Sequence, residues 1–301
     1  MAQHAHSHNQ LRSPADYDDA FAIAVGLNFA YVVAQVVFGI AAHSLALIAD
    51  AGHNFGDVLG LLLAWGANYL GKTRPTARRT YGLGRSSILA ALANAILLLV
   101  AVGGITWEAI RRFGNPGEVS GKTIIIVAAV GIVINGITAK LFFSEHKHDL
   151  NVKGAFLHMA ADAAVSAGVV VAGAVIILTG WHWIDPVASL AINAVIVWAT
   201  WGLLRESISM VLDLAPKGVD VVAVRRFLET RDGVTAVHDL HIWPLSTTRT
   251  ALTVHLEMPQ GSAGDAFLHE ICEQLYDDFG IEHSTIQIER NAEACSLAPE
   301  H

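Results

Sequence analysis

The 301-residue chain is poor in charge: Lys, Arg, Asp and Glu make up 15% of it, against 53% hydrophobic residues. A soluble domain carries about 25% charged residues. The deficit excludes an ordinary soluble protein and, with several long apolar runs, places the chain in the membrane class. Basic residues are outnumbered, 19 to 27, for a net charge of -8, which argues against a nucleic-acid partner. Cysteine is scarce as well. Cys272 and Cys295 make no disulfide framework. No cleavable signal peptide is read, because residues 1–19 are polar and the first apolar run is too long for an h-region. His-Glu-x-x-His is missing, so an intramembrane metalloprotease would lack its general base.

What is present is a set of apolar runs near 20–40, 44–70, 86–107, 122–143, 152–179 and 186–205. Each is long enough to cross a bilayer core, which needs about 20 residues. The 71–85 connection holds Lys72, Arg74, Arg78, Arg79 and Arg85, whereas 41–43 and 180–185 hold no Lys or Arg. The positive-inside rule then puts the N-terminus, the 71–85 and 144–151 loops and the C-terminal tail in the cytoplasm. From Ala215-Pro216 charge rises and the apolar period shifts. Helices are predicted over 219–231 and 265–279, and strands over 234–243, 250–258 and 283–289. An α-β-β-α-β order indicates a small ferredoxin-like α+β domain. The expected organisation is a polar, His-containing cytoplasmic N-terminus over 1–19, an α-helical membrane domain of six transmembrane helices over 20–214, a cytoplasmic domain over 215–290 and a flexible tail over 291–301.

Four residues inside the apolar runs carry the chemistry: His53 and Asp57 in the second, His158 and Asp162 in the fifth. Both pairs read H-x-x-x-D, and an i, i+4 spacing puts both side chains on one helix face. An ionisable residue within a span is expensive and is by default a functional-site hypothesis. Two imidazoles and two carboxylates make a full ligand set for a tetrahedral zinc-like ion. A divalent ion on two carboxylates and two neutral imidazoles forms a neutral unit, and so do the same carboxylates with two imidazolium ions. This equality suits an exchange of metal for protons, since imidazole binds metal only when neutral. Four protein ligands close the shell, and a catalytic zinc keeps a position open, so no enzymatic activity is expected. Asp50, one turn before His53, is expected to align an imidazole by hydrogen bonding.

The stretch SLALIADAGHNFGDVLGLLLAW resembles the second transmembrane helix of the cation diffusion facilitator family, and GAFLHMAADAAVSAG its fifth. YGLGRSSILAALANAILLL resembles the third, and VHDLHIWPL with HSTIQIE the cytoplasmic domain. The match runs from about residue 18 to 290 and is nearest the zinc-exporting bacterial branch. The resemblance implies a homodimeric, proton-coupled exporter of the inner (plasma) membrane with a metallochaperone-like cytoplasmic domain. It implies that His53, Asp57, His158 and Asp162 are the transport ligands. Gln35 and Ser87 depart from the family, standing where relatives often have glutamate, and the His-rich loop between helices four and five is reduced to His146 and His148.

In the tail domain, Leu252, Val254 and Leu256 face one side of their strand, so His255 faces the other; Ile286 and Ile288 leave His283 and Glu289 on the opposite face. His238, His255, His283 and Glu289 are thus expected to form a second, cytoplasmic metal site, with zinc as regulatory ligand; similar positions bind zinc in the family. His241 is expected to face elsewhere, His269 is a weaker candidate, and His4, His6 and His8 form a loose cluster. Imidazole with carboxylate suits zinc, and also cadmium, cobalt or nickel. The leading expectation is a zinc/proton exchanger embedded in membrane lipid, with no organic cofactor. A membrane-bound metal sensor and a membrane hydrolase are the competing classes. A sensor needs no buried tetrahedral site, and a hydrolase needs an open one.

Overall fold

A computed structural model describes residues 14–71, 73–114, 116–143, 150–261 and 264–290. Six long helices come first: α1 (Pro14–Ala41), α2 (Leu45–Gly71), α3 (Ser86–Phe113), α4 (Gly121–Phe143), α5 (Leu150–Thr179) and α6 (Ile184–Val211). Helices satisfy their own backbone hydrogen bonds, which lipid cannot do for them. Among the described residues, Ser86–Phe113, Ala160–Thr179 and Ile184–Val211 are each long and apolar enough to cross a membrane. The α1–α2 connection is tight. His43 takes a positive φ of 53°, and Ser44 N bonds Gly39 O at 2.9 Å.

Internal contacts divide the chain into two units. One comprises Met1–Leu61 and Leu97–Thr200, the other Leu62–Ile96 and Trp201–His301. In the first unit the core is aliphatic, with Leu47, Ala49, Val102, Ile124, Ala128, Val169 and Ile176 buried. Small residues set the closest approaches, as is usual between helices in lipid. A Cβ on Gly121 would lie 2.7 Å from Gly173 O, so α4 and α5 meet there backbone to backbone.

The second unit contains α7 (Val221–Glu229), β1 (Ala236–Pro244), β2 (Thr250–Glu257), α8 (Asp265–Phe279) and β3 (His283–Glu289). β2 pairs antiparallel with β1 and parallel with β3. Val224 and Leu228 of α7 and Ile271 and Leu275 of α8 close over Leu252, Val254 and Leu256 of β2. Asp220 begins α7 by accepting from Val222 N at 2.9 Å and Ala223 N at 3.0 Å, which is why that helix starts at Val221 and not at the predicted 219. Gly280, at φ 67°, ends α8 in the left-handed conformation that glycine adopts without strain.

The 73–85 connection and the start of α3 belong to this second unit. Arg85 pairs with Asp213 at 2.6 Å. Ser87 Oγ accepts from Thr247 N at 3.0 Å, so the hydroxyl at this departing position holds the β1–β2 turn.

Candidate metal centres

α2 presents His53 and Asp57 one turn apart, and α5 brings Asp162 to them. His53 Nε2 lies 2.9 Å from Asp162 Oδ1 and 3.9 Å from Asp57 Oδ2. One ligand atom from each of the three falls within 4.8 Å of the others, close enough to share one ion. Asp162 is buried, with 5% of its side chain exposed, while His53 and Asp57 show 17% and 29%. His158 lies in α5 one turn before Asp162; its side chain lies outside the described residues.

Asp50, expected to align an imidazole, bonds side chains of α1 and α5 among the described residues. Its carboxylate accepts from Gln35 Nε2 of α1 at 2.6 Å, with Ser166 Oγ of α5 at a long 3.5 Å. The side chain is turned toward α1, where Gln35 stands. Gln35 Nε2 also reaches Tyr31 Oη at 2.9 Å, and its Oε1 accepts from Asn54 Nδ2 at 3.1 Å. The departure at residue 35 has a physical consequence: an amide donates to the buried carboxylate, where a glutamate would have to share a proton with it.

In the second unit the ladder opposes His238 to His255 directly, and Glu289 sits opposite Glu257, two residues along from His255. Opposed and diagonal neighbours on one sheet face are within side-chain reach. His255 Nδ1 is 2.9 Å from Glu289 Oε1, and His238 Nε2 is 3.1 Å from Glu289 Oε2. The two rings meet edge to face at 5.2 Å. These three residues form a second cluster of converging ligand atoms.

His283 does not join it. It pairs with Ala251 at the far end of β3, six residues from Glu289, a separation of roughly 20 Å at strand rise. Its ring instead meets Tyr81 edge-on at 5.5 Å. Alternation assigned the correct face but says nothing of distance along the strand. Asp239 is the residue that alternation missed. The β1–β2 register shifts between His238 and His241, and Asp239 adopts φ 51° there. The bulge turns its carboxylate to within 3.5 Å of His255 Nε2 and 2.9 Å of His241 Nε2. His269 is exposed on α8 beside Glu273, at 3.3 Å. His4, His6, His8, His146 and His148 lie outside the described residues.

The chain pairs helices bearing a His/Asp cluster with a small α+β domain that has its own ligand cluster. Residues 21–212 match the family described as the cation efflux transmembrane domain, and residues 216–291 match the cation efflux protein, cytoplasmic domain. The chain belongs to the cation efflux family, the cation diffusion facilitators. This protein is therefore a membrane protein of a transporter family. It is 35% identical over 289 residues to the metal cation efflux system protein CzcD of Cupriavidus metallidurans, covering 96% of this chain and 90% of the relative. The zinc transporter ZitB of Escherichia coli is 36% identical over 290 residues, covering 95% and 92%. The cadmium, cobalt and zinc/H(+)-K(+) antiporter of Bacillus subtilis is 32% identical over 292 residues, again covering 95% and 92%.

Proposed function

We propose that this cation efflux protein exports zinc, with cadmium and cobalt as further cargo, from the cytoplasm in exchange for protons. The observation that carries the reading is the convergence of His53, Asp57 and Asp162 within 4.8 Å inside the helical part of the chain. His158 completes the set, being spaced from Asp162 as His53 is from Asp57. The names of the relatives, a zinc transporter and a cadmium, cobalt and zinc antiporter among them, support the choice of metals.

In the loaded site two carboxylates balance the charge of the ion, and both imidazoles are neutral. In the emptied site each imidazole takes a proton, and the charge of the cluster is unchanged. Two protons therefore replace one divalent ion, and the low-dielectric interior meets the same net charge in both states.

The domain limits are set at 20–214 and 215–290, with the protein in the inner membrane as a homodimer and both termini in the cytoplasm. His238, His255 and Glu289 bind a regulatory zinc, with Asp239 beside them. A site on the tail domain cannot carry ions across, so it tunes the rate. No chemical reaction is assigned, because four ligands leave the ion no open position for an attacking water.

The test follows metal flux and lumenal pH together in inverted vesicles. An acidic lumen should accelerate zinc entry, and zinc entry should drive protons out. Zinc movement indifferent to the pH gradient would leave facilitated diffusion in place of exchange.

A further inference from the structure

Asp185 is a buried carboxylate for which the metal site has no use. It stands at the start of α6 with 0% exposure and serves as cap to another helix. Its Oδ1 accepts from Ser44 Oγ at 2.5 Å and Ala46 N at 3.2 Å, and its Oδ2 from Leu45 N at 2.6 Å. Ser44 in turn caps Leu47 N at 3.2 Å. The first turn of α2, the helix that carries His53 and Asp57, is thus held by a side chain about 140 residues away in sequence, at the N-terminus where negative charge is favoured.

This clasp is one of several ties at the same end of the first unit. Arg112 Nη1 donates to His43 O at 2.5 Å, and Ser120 N to Ala42 O at 3.2 Å. Val119 N donates to His182 Nδ1 at 3.1 Å. The α1–α2, α3–α4 and α5–α6 connections are therefore joined in a closed ring, each to the other two. Exposure along the ligand-bearing face of α2 follows suit. Ala46, Ala49 and Asp50 show 0%, 0% and 1%, then the side chains of His53 and Asp57 show 17% and 29%.

We propose that Asp185 is a positioning residue of the transport cycle: it clasps α2 to α6 and locks a ring of three connections that closes the outer end of the pathway. Release of the ion on that side requires the ring to part. A residue that only stabilised the fold would not govern access from one side. The inference rests on the transport reading above and on the cytoplasmic assignment of the 71–85 loop.

The test uses the full chain in oriented vesicles, with Cys272 and Cys295 replaced by serine and one cysteine introduced as A49C. A membrane-impermeant thiol reagent is applied, without metal, from the side bearing the 180–184 connection. Labelling should be slow in the parent and about tenfold faster in D185A, because a buried charge-assisted tie is lost and the opened state gains population. D185N, which keeps one acceptor oxygen, should fall between. If D185A fails to insert, S44A and R112Q each remove a separate tie and should each raise the rate. Labelling within about twofold of the parent in every inserted variant overturns the proposal. Because labelling is read without metal, its outcome is independent of which residues bind zinc. A failed metal-site reading would show only as zinc binding unaffected by the ligand variants.

Discussion

Replacing Asp162 by asparagine keeps the shape of the side chain and one carbonyl oxygen, and exchanges the charge and the second acceptor oxygen for an amide NH2. The His53–Asp162 pair is largely shielded, with side-chain exposures of 17% and 5%, so the discount that applies to surface ion pairs is not needed. Removing one partner of a buried pair costs about 3–5 kcal/mol. Converted to affinity, this is about two to three and a half orders of magnitude. A divalent ion interacts with the carboxylate more strongly than an imidazolium does, so the lower figure is a floor. Zinc uptake into inverted vesicles at graded free zinc, with calorimetry on the purified protein, reads the loss directly. D162N should show no saturable uptake where the parent saturates. His269, whose side chain is 76% exposed, provides the control, and H269A should transport normally. If D162N binds zinc within about tenfold of the parent, the buried-charge reasoning is wrong.

H53D should shift competition from zinc toward manganese, since oxygen replaces nitrogen; an unchanged ratio would remove His53 from the ligand set. For the tail domain, whose core is drawn from its own residues, zinc at about 100 times its Kd should add about 2.7 kcal/mol of stability. At this size that raises Tm by roughly 10–20 °C. H255A and E289Q should abolish the rise in the isolated domain, whereas H283A should keep it, because His283 stands at the other end of β3. Loss of the zinc effect in H283A would mean that a second copy brings its His283 to the cluster.

Local order explains what was legible. α8 and β3 run over the predicted 265–279 and 283–289, since each is bounded by its own glycine or polar break and shows one clear period. α7 proved shorter than 219–231 because Asp220 spends its side chain on the cap. The α1 helix begins at Pro14, ahead of the apolar run. Within the metal cluster, His53 and Asp57 share a face by helix geometry alone.

The sequence by itself determined the class of the protein, the type of each candidate ligand and the face each one occupies, because charge deficit, i, i+4 spacing and strand alternation are local properties. Only the tertiary structure decided which faces meet and where along them. Asp162 reaches His53 from 109 residues away, and Asp185 reaches Leu45 from 140. Gln35 becomes the donor that satisfies Asp50. His283 is left aside although it has the right parity, and Asp239 enters although it has the wrong one, through one bulge. The physical reason is the same in each case: periodicity fixes a direction around an element, whereas packing fixes the distance at which two charges or a donor and an acceptor come together.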